Sequence, residues 1–160
     1  MNKVDFIQEV LQALSVELET IVQAANEARS TATHSEAKAE NKYDTFGLEA
    51  AYLAEGLSRR VADLQSALQL LARITLNDFS GRPIALGALV ILESEDSGQQ
   101  DGYFLSPCQG GASVVWANRT WRLVTPQTPL GRQLLGKEVD DSIELTVHGR
   151  GVRYHIVSVS

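Results

Sequence analysis

The 160-residue sequence predicts an α+β protein, with an N-terminal antiparallel α-helical coiled-coil hairpin followed by a small antiparallel β-sheet domain with one short helix. Three observations carry this reading. Up to Asp78 the chain holds 2 of its 12 Gly and none of its 4 Pro, and both residue types are excluded from helix interiors and gather in turns between strands. Before Asp78 the apolar residues recur at helical spacing. Beyond residue 83 they fall in short segments bounded by turn residues.

The first helix is marked by Ile7, Leu11, Leu14, Leu18, Ile21, Ala25 and Ala28, spaced alternately four and three apart, which keeps one stripe facing a partner helix. Ala50, Ala54, Leu57, Val61, Leu64, Leu68 and Leu71 repeat that spacing. Paired in reverse, the two stripes give position sums of 78 or 79 throughout. This constancy favours pairing within one chain, hence a monomer, with the turn near Ala39. Each arm would span on the order of 45 to 50 Å at 1.5 Å per residue. Large seam residues near the base give way to alanine towards the turn, so the rod should taper. Glu9, Glu17, Glu19, Glu27, Arg29, Arg59, Arg60 and Asp63 lie off the seam and read as solvated.

The turn region THSEAKAENKYDTFG carries Glu36, Glu40 and Asp44 four residues apart, with Lys38 and Lys42 interleaved. Asn41 is the best candidate for a left-handed turn conformation. Carboxylates at an exposed tip are hard oxygen ligands for a divalent cation and can orient a water molecule. Charged residues at a hairpin turn are more often a solvated surface, so by itself this cluster assigns no chemistry.

In the second half, IALGALVILE reads as a buried strand, and DGYFLSP, ASVVWA and RTWRLVT as further strands. Pro129 opens a short helix over Leu130, Leu134 and Leu135 that Gly136 ends. SIELTVH and VRYHIVSV follow as alternating strands joined at Gly149-Arg150-Gly151. The expected division is a hairpin over 1–78 with its tip near 36–44, a linker over 79–83, and a C-terminal domain over 84–160. Trp116 and Trp121 read as packing residues and His155 as a surface or packing residue. Ser106, Cys108 and His155 form no recognisable nucleophile–base arrangement.

Composition narrows the function classes. Residues 1–78 carry 7 Lys/Arg against 12 Asp/Glu, and such an acidic balance disfavours sequence-specific or general duplex-DNA binding. One cysteine, Cys108, and three scattered histidines, His34, His148 and His155, build neither a disulfide framework nor a standard zinc site. No basic-then-apolar leader and no long apolar span is evident, so a soluble cytoplasmic protein without membrane contact is expected.

The hairpin with an acidic tip, joined to TPLGRQLLGKEVDDSIEL and GVRYHIVSV, resembles the bacterial GreA/GreB family of transcript cleavage factors. That family's FKBP-like C-terminal domain carries Ser-Pro-Leu-Ala/Gly-Arg-x-Leu-Ile/Leu-Gly-Lys-x-x-Gly-Asp before two strands. Thr128, Pro129, Leu130, Gly131, Arg132, Leu134, Leu135, Gly136, Lys137 and Asp141 occupy those positions, with Asp140 where the family has glycine. Leu86 to Val90 looks like the first strand of that domain, and Arg60 to Leu64 like the second coiled-coil arm.

The resemblance implies docking of the C-terminal domain on RNA polymerase and insertion of the coiled coil into the secondary channel. Pro129, Leu130, Gly131, Arg132 and Lys137 are the candidate partner-binding residues. Glu36, Glu40 and Asp44 are the candidate tip acids, with Glu40 and Asp44 sharing Mg²⁺ with the polymerase and no cofactor held stably by the chain itself. The RNA 3′ end would be reached only indirectly, and the chain would modulate the polymerase active site without being an enzyme.

The tip departs from the family's acidic pattern. Aligning Glu40-Asn41 with the family's Glu-Asn leaves Ala37 at the first acid, whereas an ungapped alignment through Arg60 places Glu40 there and Tyr43 at the second. Polymerase binding is therefore the firmer expectation than stimulated cleavage of backtracked RNA, and a non-cleaving secondary-channel regulator is the alternative. Two lesser readings are a prolyl isomerase, which needs a pocket assembled from Tyr103, Phe104, Trp116, Trp121 and Tyr154, and a coiled-coil adaptor.

Overall fold

The computed structural model describes residues 2–37 and 45–160. Two long helices, α1 (Lys3–Ala37) and α2 (Thr45–Ala72), precede strands β1 (Leu89–Ser94), β2 (Gln100–Leu105), β3 (Ser113–Trp116) and β4 (Arg119–Val124), helix α3 (Pro129–Leu134), and strands β5 (Ser142–Val147) and β6 (Arg150–Val159). The chain divides into two compact units, one formed by Leu11–Gln69 and the other by Met1–Val10 with Leu70–Ser160. No helix among the described residues is long and apolar enough to cross a membrane.

The helical unit follows the seam. Every one of the fourteen seam positions is buried or half-buried, and Ala32 extends the stripe by one further step. Burying the apolar stripe stabilises helices far longer than their intrinsic propensities alone would hold. Two of the residues expected to be solvated are instead half-buried and paired across the helices, Arg60 donating to the Glu17 carboxylate through Nε and Nη2. Arg29 Nη2 likewise donates to Ser58 Oγ at 2.8 Å. The predicted apex at Ala39 and the turn residue Asn41 lie outside the described residues.

The second unit is built on a six-stranded sheet in the order β3-β4-β2-β1-β6-β5. It is mixed, since β2 and β4 run parallel while the other four pairings are antiparallel. The chain leaves β2, passes to the edge as β3, and returns by a hairpin so that β4 inserts beside β2. The first strand starts later than IALGALVILE suggests, because Gly87 turns the chain at φ +90° and a Cβ there would stand 3.0 Å from the Thr75 carbonyl oxygen. The last hairpin is also tighter than expected, with Val147 opposite Arg150 and the turn made by His148 and Gly149, both at positive φ.

The two faces of the sheet are covered differently. Side chains alternate along β2, so Tyr103 and Leu105 enter a core with Ile84, Leu92, Leu134, Ile143 and Ile156, while Phe104 points the other way. Phe79, within the segment expected to be a linker, belongs to that core. On the opposite face the fully buried Phe6 of α1 stacks among Phe104, Trp116 and Trp121, with ring centroids 5.0, 5.5 and 5.7 Å away. Asn2 caps this helix start, its Oδ1 accepting from the Val4 amide at 3.1 Å.

Two substitutions test this account. Phe6→Ala removes the ring that fills the aromatic face and should lower unfolding free energy by about 3 to 5 kcal/mol, measured by denaturant titration; a change below the cost of a surface substitution would refute the anchor. Ala117 turns the β3–β4 hairpin at φ +50°, a left-handed conformation that strains an alanine. Ala117→Gly should therefore add about 0.5 to 1 kcal/mol and raise the melting midpoint.

Candidate functional site

The predicted site has two parts, an acidic hairpin end and the TPLGR segment. At the hairpin end, Glu36 falls in the last turn of α1, whereas Glu40 and Asp44 lie outside the described residues, in the seven-residue segment between α1 and α2. Among the described residues no cluster of three His, Cys, Asp or Glu side chains could hold a metal ion. What the structure supplies here is the helical frame leading to the acids. Towards that end α1 contributes buried Ala25, Ala28 and Ala32, and α2 contributes buried Ala54.

The TPLGR segment turns out to be largely a folding element. Thr128 caps α3, accepting from the Gly131 amide at 3.0 Å and donating its own hydroxyl proton to the Thr125 carbonyl at 2.8 Å. Pro129 sits in the first turn, where its missing N–H costs nothing. Gly131 is buried, and a Cβ there would collide with the Thr125 carbonyl oxygen. Leu134 enters the core with Leu130 packed against it, and Gly136 leaves the helix at φ +76°.

The remainder of the segment closes a turn. The Gly136 amide donates to Ile84 O at 2.9 Å and Ile84 N to Lys137 O at 2.7 Å. Asp141 Oδ2 accepts from the Glu138 amide at 2.8 Å, and Asp140 occupies φ +71°, which explains why the family pattern has glycine there. Of the five candidate partner-binding residues, Pro129 and Arg132 are exposed, Leu130 and Lys137 are half-buried, and Gly131 is buried.

The aromatic residues do not form one pocket. Phe104, Trp116 and Trp121 close around Phe6 on one face, while Tyr103 enters the core on the other with Tyr154 packed against it. The arrangement a prolyl isomerase needs is thus absent among these five side chains. Ser106 Oγ donates to the Cys108 carbonyl at 2.7 Å, and burial raises the Cys108 thiol pKa. His155 instead meets Ser142, Nδ1 to Oγ 2.9 Å.

Residues 81–160 match the family described as "Transcription elongation factor, GreA/GreB, C-term". The chain belongs to the GreA/GreB family of transcription elongation factors. It is 31% identical over 168 residues to transcription elongation factor GreA of Beijerinckia indica subsp. indica, covering 100% of this chain and 99% of that one. To GreA of Methylobacterium sp. strain 4-46 it is 33% identical over 152 residues, covering 95% and 88%. The crystal structure of GreA factor homolog 1 (Gfh1) of Thermus thermophilus is similar at TM-score 0.40 and 22% identity over 94% of each chain.

Within this GreA/GreB frame one anchoring residue escapes sequence reasoning. Lys3 Nζ donates to the Asn77 carbonyl and, at 3.3 Å, to the Gly87 carbonyl, and it lies 4.5 Å from the Phe79 ring centroid. No periodicity marks it, because its partners are backbone oxygens more than 70 residues away. Burial lowers its pKa from 10.5 to about 8, with nearby Asp78 acting in the opposite sense. Asp78 itself is held below its ordinary value, first by hydrogen bonds from Ser80.

The sign of the resulting pH dependence follows. A folded-state pKa below the unfolded one means that the native chain binds fewer protons between about pH 8 and 10.5, so the Lys3 contribution to stability rises with pH across that window. The difference in unfolding free energy between the wild type and Lys3→Met should shift in favour of the wild type over the same range. A difference that stays flat would show that Lys3 is not desolvated in the folded state.

Proposed function

We propose that this GreA-like factor docks on RNA polymerase through its C-terminal unit, inserts its helical hairpin into the secondary channel, and modulates elongation from there. The observation that carries the reading is where the helices break. α1 and α2 contain no proline and none of their fourteen seam positions is glycine, and the segment between Ala37 and Thr45 contains Glu40 and Asp44 with Glu36 just before it. Glu36, Glu40 and Asp44 are assigned as tip acids assisting the polymerase, Glu40 and Asp44 as ligands of a shared Mg²⁺. In two-metal phosphoryl chemistry, added oxygen ligands and an oriented water are what a helper protein can supply.

Exposure supports a docking role for part of the TPLGR segment. Pro129 and Arg132 present exposed side chains and Lys137 a partly exposed one, whereas Leu130 and Gly131 support the turn that displays them. The chain thus acts on the chemistry of another enzyme and carries no active site of its own in this reading.

The test uses assembled backtracked polymerase complexes with Mg²⁺. Addition of the protein should shorten the RNA from its 3′ end, and Glu40→Ala or Asp44→Ala should slow that shortening on the order of tenfold or more. Binding with altered transcript yield and unchanged 3′ ends would replace cleavage with the non-cleaving regulator. Absence of binding to purified polymerase would overturn the reading altogether.

A further inference from the structure

Near its acidic end the hairpin inverts the usual arrangement of large and small apolar residues. Lower in the seam Leu14 and Leu64 are buried between the helices, but here Ala25, Ala28, Ala32 and Ala54 take the inner positions. The large side chains of α2 face outward, with Phe46 62% exposed, Leu48 55%, Tyr52 66% and Leu53 58%. No other eight-residue stretch among the described residues exposes so many large apolar side chains. On a helix that turns about 100° per residue, Phe46 and Leu53 fall on one side of α2 together with Glu49, while Leu48 and Tyr52 fall on another, and it is the pair beside a groove that marks a contact surface.

This surface has a shape and a charge. Between α1 and α2 runs a groove of about 430 Å³ with Ala28 and Ala50 as floor, Phe46 and Leu53 as wall, and Glu27 and Glu49 on its rim. Both carboxylates are exposed, and neither makes an ion pair among the described residues. A second copy of the chain would bring the same carboxylates towards each other across a twofold contact, which costs energy unless cations intervene. A segment carrying one or two apolar side chains flanked by Lys or Arg satisfies both the groove and its rim.

We propose that this apolar shelf, Phe46 and Leu53 with the Glu27–Glu49 groove, is a second polymerase-contacting surface that receives a basic, apolar polypeptide segment of the enzyme. The proposal rests on the secondary-channel reading above and adds to it a binding role for residues outside the acidic tip and the TPLGR segment. It divides the labour at the hairpin end, with the shelf holding position and the acids left free for chemistry.

The experiment measures the affinity of the fluorescently labelled full chain for purified bacterial core RNA polymerase at low and moderate salt, with far-UV circular dichroism confirming helix content. Phe46→Ser with Leu53→Ser should weaken binding about tenfold. Glu27→Lys with Glu49→Lys should weaken it as well, by a factor that shrinks as salt rises. This second pair keeps the test decisive where the first alters helix content. Unchanged affinity for both pairs, with the wild type binding, overturns the shelf and leaves the channel reading intact. Failure of the wild type to bind overturns both. Sedimentation showing a dimer that Phe46→Ser with Leu53→Ser dissolves would assign the shelf to a second copy and likewise overturn the proposal.

Discussion

Burial of the Phe6 ring organises the unit that contains the sheet. Three aromatic rings, Phe104, Trp116 and Trp121, would leave one sheet face wet without it, and no strand of the sheet supplies a cover. The cover comes from the first turns of a helix whose remaining residues belong to the other compact unit. Neighbouring choices follow from that closure. Gly102 must lack a side chain because a Cβ would stand 2.8 Å from the Trp121 ring. Trp121 Nε1 donates to the Trp116 carbonyl at 3.3 Å, so the buried indole keeps a polar partner. Lys3, three residues before Phe6, ties the same helix start to the carbonyls of Asn77 and Gly87.

In the helical unit the controlling constraint is the size of the seam residues. Leucine pairs separate the helices and fill the space between them, whereas alanines allow close approach but leave large side chains no room inside. The outward-facing Phe46, Leu48, Tyr52 and Leu53 are the counterpart of that alanine seam. Exposed apolar surface beside carboxylates that make no ion pair among the described residues then acquires a physical reading as a contact surface. Of the 12 acids in residues 1–78, Glu27 and Glu49 line the groove, while Glu40 and Asp44 fall between the helices together with Lys38 and Lys42.

The TPLGR segment illustrates how a family signature can be mostly architectural. Thr128 caps, Gly131 avoids a carbonyl, Leu134 fills the core, Gly136 reverses the chain, and Asp141 closes the following turn. Four of these roles meet a backbone requirement and the fifth fills the core, so the segment serves the fold before it serves any partner. The side chains left over for a partner are few, chiefly Pro129 and Arg132.

The sequence by itself determined the helical hairpin, its seam, the six strands and the short helix, because each rests on a local period or a turn residue whose conformational demand is independent of the rest of the chain, while the family rests on the resemblance carried by TPLGRQLLGK and the strands after it. Tertiary structure alone decided that β4 inserts beside β2, that Phe6 and Phe79 belong to the sheet unit, that Glu17 meets Arg60, and that Lys3 reaches the Asn77 and Gly87 carbonyls. These are contacts between residues far apart in the chain, and no periodicity encodes them. The candidate acids were legible as a charge pattern, while their chemistry depends on side-chain positions that a spacing of four residues does not specify. The apolar shelf was hidden for a related reason, since a Phe or Leu off the seam reads as an ordinary helix residue until the fold shows which face is left uncovered.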